Sequence, residues 1–255
     1  MTKPVAFYAR SAGRINGFLL LMLLAGCSSP TAPSPAVMTP PVITTPPVVV
    51  TPPPVVTPVV LPAFPPADPR FNLTFYRQFV HNAYQSPDRL DVLWRQQQAP
   101  RIYLRTIHAN GSAIDTMTLD RTSAALESVA GSLTGVFGLA GIERGTGTRA
   151  GQSGWITVSW LDDPERRFCG RAAIAGDWID LYTNTPGCRC VGGPVIAPVI
   201  VKHELGHALG FRHTGERTDL MQAGAHSLCA DVQPSSREVF HAALAYTRPM
   251  WSPAP

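Results

Sequence analysis

Long apolar runs, basic clusters and, over one stretch, charge of any kind are scarce in this sequence. Each shortage closes off a class of protein. The apolar run near the N-terminus, Phe18–Ala25 (FLLLMLLA), has eight residues, against about 20 needed for a helix to cross a bilayer. A permanent transmembrane helix is therefore not expected there. The formal charge is +4, but Lys3, Arg10 and Arg14 supply three of those charges, which leaves +1 for the chain after residue 26. No basic run survives in that remainder, so a nucleic-acid partner is not expected. Between Pro30 and Pro69, Asp68 is the only ionisable group, and 15 of the chain's 26 prolines fall there. Proline fixes φ and lacks an amide proton, so this stretch cannot build a helix or a sheet interior. It reads as a disordered, polyproline-like linker whose 40 residues, at about 3.1 Å each, would reach on the order of 120 Å.

What is present at the N-terminus suits export. Lys3, Arg10 and Arg14 precede the short apolar core, and small residues and Cys27 follow it. The boundary Leu24-Ala25-Gly26-Cys27 resembles the lipobox of bacterial lipoproteins. That resemblance implies a signal peptide over residues 1–26, a lipidated Cys27 and a linker over 27–69 tethered to a membrane by its acyl chains. Ser28 and Ser29 follow with no Asp, a pattern similar to lipoproteins sorted to the outer membrane in two-membrane bacteria. Export implies an oxidising setting. Of the five cysteines, Cys169, Cys188, Cys190 and Cys229 then remain as disulfide candidates, with three possible connectivities. Close spacing disfavours a Cys188–Cys190 bridge, so each is expected to pair with either Cys169 or Cys229. A second zinc on Cys188 and Cys190 is the weaker alternative.

From about Arg70 the composition becomes globular, with enough length for one domain over residues 70–255. Apolar spacing predicts an amphipathic helix from Phe71 to Gln85, ended by Pro87, and a second short helix over Asp88–Gln97. Arg101–Ile107 alternates as a strand does. Asp120 is the expected cap of a long helix running to Phe137, with Leu126, Val129, Leu133, Val136 and Phe137 on one side. Gly154–Leu161 and Trp178–Thr183 read as strands, Val195–Leu209 as a buried helix, and Pro234–Tyr246 as a C-terminal helix. The order implies an α+β or α/β domain. A monomer is expected.

Three of the seven histidines fall within eleven residues, His203 to His213. On a helix, His203 and His207 face the same way with Cβ atoms about 6 Å apart. Two ring nitrogens can then reach one zinc at about 2.0–2.1 Å. Glu204 lies one residue on, beside that face. Gly210 can take the left-handed conformation that ends the helix and brings His213 back as a third ligand. Three neutral nitrogens leave a position for water, as in a catalytic rather than a structural zinc site. His226 reads as a loop residue, not a fourth ligand.

The run His203-Glu204-Leu205-Gly206-His207-Ala208-Leu209-Gly210-Phe211-Arg212-His213 resembles the zinc signature of the metzincin metallopeptidases. Met221, within Asp219-Leu220-Met221, resembles that family's methionine turn. Its place eight residues past His213 is most similar to the matrixin branch. The resemblance implies an α+β metzincin-like zinc peptidase domain with a mixed twisted sheet, an active-site helix and a C-terminal helix. It implies zinc on His203, His207 and His213, Glu204 as general base, and Met221 as the floor of the site. It also implies a protein or peptide substrate lying extended along an edge strand, placed here in the Arg171–Thr183 region. No tyrosine follows Met221 as an extra ligand, and no propeptide with a cysteine switch is seen. Matrixins often hold calcium, so Asp162, Asp163, Asp177 and Asp180 are candidate Ca²⁺ carboxylates, although solvated turn residues read better. The expected activity is zinc-dependent endopeptidase hydrolysis of extracytoplasmic proteins or peptides. The alternative is a non-catalytic, zinc-containing envelope lipoprotein that binds peptides or cell-wall polymer.

Overall fold

The computed structural model describes residue 64, residues 66–162, 168–183, 185, 188, 196–224 and 230–255. The signal peptide, Cys27, most of the linker, Asp163, Cys190, His226 and Cys229 lie outside the described residues. In chain order the elements are α1 (Leu73–His81), β1 (Arg101–His108), α2 (Thr116–Ser132), β2 (Gly141–Gly145) and β3 (Trp155–Leu161). They continue with β4 (Gly170–Ala172), β5 (Trp178–Tyr182), α3 (Pro198–Leu209) and α4 (Ser236–Thr247). The domain is α+β, with a five-stranded mixed sheet in the order β2-β1-β3-β5-β4. β1, β2, β3 and β5 run parallel, and β4 alone is antiparallel, pairing with β5.

The helices form where local chemistry starts and stops them. At α1, the Asn72 side chain accepts from the Phe75 amide at 2.9 Å. The helix ends at His81 because Asn82 turns left-handed (φ 63°), a conformation asparagine tolerates better than most residues. The expected helix over 71–85 is therefore shorter, and Pro87 is not what stops it. The expected second helix over Asp88–Gln97 does not form. After a turn and bend at Asp88 and Arg89 the segment has no regular structure, and its backbone bonds other parts of the chain. Asp91 N donates to His81 O (2.9 Å), Leu93 N to Ser252 O (2.9 Å) and Gln96 N to Leu209 O (3.3 Å).

The long helix is displaced from its expected span as well. α2 starts at Thr116, capped by Asp115, whose carboxylate accepts from Thr118 N at 2.8 Å. Asp120 sits inside the first turns, paired with Arg144 at 2.7 Å. Gly135 at φ 86° lies in the turns that follow Ser132. Leu126, Val129, Leu133 and Phe137 are buried as expected, and Val136 packs partly against them. Pro198 stands at the first turn of α3, where a missing amide proton costs nothing. α4 begins with a full capping box between Ser235 and Glu238.

Two elements begin with glycine: β2, and β4 with only three residues. Neither has the alternation that marks a strand. The region placed along the substrate, Arg171–Thr183, divides accordingly. β5 lies inside the sheet between β3 and β4, so β4 alone forms that edge. α3 packs on α2, β4 and β5. A disulfide from Cys169 to Cys188 (Cα–Cα 5.2 Å) ties the residue before β4 to the segment leading towards α3. It is one of the expected pairings.

Replacing Asp115 with Ala should cost about 1 kcal/mol, as loss of a helix cap does. Replacing the exposed pair member Asp120 with Ala should cost about half that or less. Equilibrium urea denaturation of both variants checks the assignment, and the reverse order would refute it.

Candidate metal centre

α3 is buried along most of its length, with Val199, Val201, Leu205, Ala208 and Leu209 all in the core. The core fixes the rotation of the helix and so aims the i, i+4 pair His203 and His207 at one point. The chain then leaves the helix at Gly210. Its φ is 110°, and a Cβ there would collide with the Trp94 carbonyl oxygen and lie 2.9 Å from Arg95 Cα. Conformation and packing thus both require glycine at this turn. Beyond it, Phe211 stacks on Phe79 with ring centroids 4.4 Å apart. Arg212 donates its amide to Phe79 O (2.7 Å) and pairs with Asp91 (2.8 Å). The next residue, His213, is thereby brought back over α3.

The three rings converge through their Nε2 atoms. His213 Nε2 lies 3.1 Å from both His203 Nε2 and His207 Nε2. Three nitrogens bound tetrahedrally at 2.0–2.1 Å would stand about 3.3 Å apart, so the spacing suits one common ion. Among the described residues this triad is the one grouping of His, Cys, Asp or Glu able to hold a metal ion. The outward nitrogens of two rings are also placed for it. His203 Nδ1 donates to Leu220 O and His207 Nδ1 to Phe211 O, each at 2.8 Å. Nδ1 therefore carries the proton and Nε2 presents its lone pair. Burial, then the neighbouring rings of His203 and His213, hold His207 well below the usual imidazole range. Burial and then Arg212 push His213 down to about 4. These two rings are neutral near pH 7, as ligands must be.

Met221 is buried beneath, and its sulfur occupies the space that a Cβ on Gly206 would need. The turn around it is held by a residue not singled out from sequence. Glu238 of α4 accepts from Leu220 N (3.0 Å), Met221 N (2.8 Å) and Ser235 N (2.7 Å). Its carboxyl is raised to about 7 by burial and then by Asp219, against the pull of those amides. Asp219, fully buried, accepts from Thr214 Oγ1 (2.9 Å), Ser235 Oγ (2.8 Å) and Arg237 Nε (2.9 Å). Ser235-x-x-Glu238 marks a helix start in the sequence, but nothing there shows that the same carboxylate reaches the methionine turn.

Glu204 is 6% exposed, and its Oε2 has no partner among the described residues. Burial, and then the like charge of Asp180, raise its carboxyl to about 8. Gly170 of β4 lies directly on it. A Cβ there would stand 2.6 Å from Glu204 Cγ and 2.9 Å from Oε1. The edge strand and this carboxyl are therefore immediate neighbours. The set fits a zinc ion: three neutral imidazoles with a common focus, and an orphaned buried carboxylate oxygen one residue along the helix.

Among the described calcium candidates, Asp162, Asp177 and Asp180, no ion-holding group forms. Asp180 pairs with Arg171 at 2.8 Å, and Asp177 accepts from the Gly151 amide.

No protein-family model matches the chain, and no curated protein does. Solved structures similar to it include the archaemetzincin of Archaeoglobus fulgidus complexed with malonate, at 12% identity and a TM-score of 0.38. That match covers 55% of this chain and 99% of the other. The archaemetzincin of Methanopyrus kandleri matches at 14% identity and a TM-score of 0.42, over 60% of this chain and 98% of that one.

The raised Glu204 carboxyl sets a pH dependence for the metal-free protein. The group shifts from 4.5 to about 8 on folding. As pH rises through that window, the unfolded chain sheds a proton that the fold retains, so stability falls. The depressed imidazoles act the other way, but only below their ordinary 6.5. Glu238, raised to about 7, adds to the decline up to that pH, so between pH 7 and 8 stability should fall chiefly through Glu204, by up to about 1.4 kcal/mol per unit. Glu204→Gln should remove most of that decline in chemical denaturation. An unchanged slope would assign it to another group.

Proposed function

We propose that the chain is a zinc-dependent endopeptidase of the metzincin type, matrixin-like in the spacing of its methionine turn. It acts on proteins or peptides outside the cytoplasm. One observation carries the reading: three imidazoles share a focus while a buried carboxyl without a partner for Oε2, Glu204, stands next to the first of them and against an edge strand. A purely structural ion has no use for that carboxyl.

His203, His207 and His213 would hold zinc. When bound, the ion supplies an electrophile that polarises a carbonyl and acidifies a water. Beside a bound dication the Glu204 carboxyl, raised to about 8 without one, would favour its charged form and serve as a base at neutral pH. Glu204 then takes the proton of the attacking water and delivers it to the departing amine. β4 supports an extended substrate through backbone hydrogen bonds of the kind a further strand would make. Its pairing with β5 and the disulfide at Cys169 keep that edge in place. Lipidation of Cys27 and the proline-rich linker would hold the domain at a membrane while letting it search a wide shell.

Wild-type protein and Glu204→Ala should bind equal zinc by elemental analysis. On an unbiased peptide library the variant should be about 10²–10⁴-fold slower. Equal zinc with no cleavage by either protein sinks the peptidase reading. Separately, Cys27→Ala should move the protein from the membrane to the soluble fraction in its bacterial host. Continued membrane association would remove the lipid anchor.

A further inference from the structure

The outward nitrogens of His203 and His207 meet backbone carbonyls. His213 differs: its Nδ1 lies 2.8 Å from the side-chain amide of Gln85, 128 residues earlier. Gln85 belongs to the turn after α1, where Gln85 N and Ser86 N both donate to Asn82 O (3.2 and 2.9 Å). The turn is docked against the segment leaving His213. The Tyr84 ring sits where a Cβ on Gly215 would come within 3.1 Å, and Gly215 N donates to Gln78 Oε1 at 3.3 Å. Two contacts thus carry Gln85 to the third ring and hold it there.

The chemistry decides which end of the amide is used. His213 Nε2 points at the common focus, so as a ligand it spends its lone pair there and Nδ1 carries the proton. The amide nitrogen of Gln85 facing Nδ1 would oppose two donors. A half-turn of the amide exchanges its oxygen and nitrogen without moving the rest of the side chain. We infer that Gln85 is a positioning residue for the metal, accepting the His213 Nδ1 proton through its carbonyl oxygen and so fixing the ring's tautomer and tilt. Such partners raise ligand basicity, and their loss typically weakens metal binding 10–100-fold. Gln85 is also exposed and lies outside α1, so replacing it leaves the core intact.

The inference rests on the reading of the triad as a zinc site, and the test separates the two. Zinc affinity is measured by competition with a chelator of known affinity for wild type, Gln85→Ala and Gln85→Glu. Melting of the metal-free proteins is followed in parallel. Gln85→Ala should bind zinc 10–100-fold more weakly with an unchanged melting temperature. Gln85→Glu keeps an acceptor and no donor, so it should bind within a few-fold of wild type or more tightly. In ¹⁵N-labelled, zinc-loaded protein, the His213 Nδ1–H resonance should be seen in wild type and Gln85→Glu, and be lost to solvent exchange in Gln85→Ala. Equal affinity in wild type and Gln85→Ala overturns the inference alone. A Gln85→Glu loss as large as that of Gln85→Ala overturns the acceptor role. Wild-type protein that takes up no zinc overturns the metal site and the inference with it.

Discussion

Three imidazoles whose Nε2 atoms turn on one point attract one another only weakly. Their lone pairs converge at 3.1 Å, they have given up water, and without an ion they gain little from one another. Their arrangement must be imposed from outside, and much of the fold can be read as the means of imposing it. The buried sides of α3 set the rotation of two rings. A glycine that nothing else could replace, Gly210, turns the chain for the third. The outer nitrogens are then seated on partners from widely separated parts of the chain, two of them carbonyls at Leu220 and Phe211. The pieces of the molecule with no role in chemistry are the ones that make the chemistry's geometry available.

α4 shows how indirect this support becomes. Glu238 closes a capping box at the start of its own helix, and the same carboxylate binds the amides of Leu220 and Met221. The Leu220 carbonyl, on the other side of that peptide unit, orients His203. One buried group therefore links the first turn of the last helix to a ring on α3. Asp219 beside it gathers Thr214, Ser235 and Arg237 in the same way. Networks of this kind stabilise only when every member is satisfied, which makes the turn rigid and intolerant of partial change.

What could be read from the sequence follows from how local each signal is. The i, i+4 histidines, the helix-ending glycine and the methionine turn all lie within 19 residues, His203 to Met221, so local geometry alone brings them close. The C-terminal helix is legible from its Pro-Ser-Ser opening at Pro234, and the first strand from its alternation. Asp120 was a plausible cap because it precedes a good apolar stripe, yet Asp115 precedes Thr118, whose amide and hydroxyl it binds. The Asp88–Gln97 segment has helical spacing. It stays out of a helix because its amides find better partners at Ser252, His81 and Leu209. Contacts made across more than a hundred residues leave no periodic trace, and neither Gly170 nor Glu238 carries a local mark of its place against the site.

A motif written with free positions suggests that the residues between the histidines are interchangeable. Here one of them is not. The Met221 sulfur fills the space where residue 206 would carry a side chain, so 206 and 221 share a single volume. Drift at one is constrained by the other, and a bulkier residue at 206 calls for a smaller one at 221. In descendants of this chain the two positions would be expected to change together or not at all, as one inherited character written in two places.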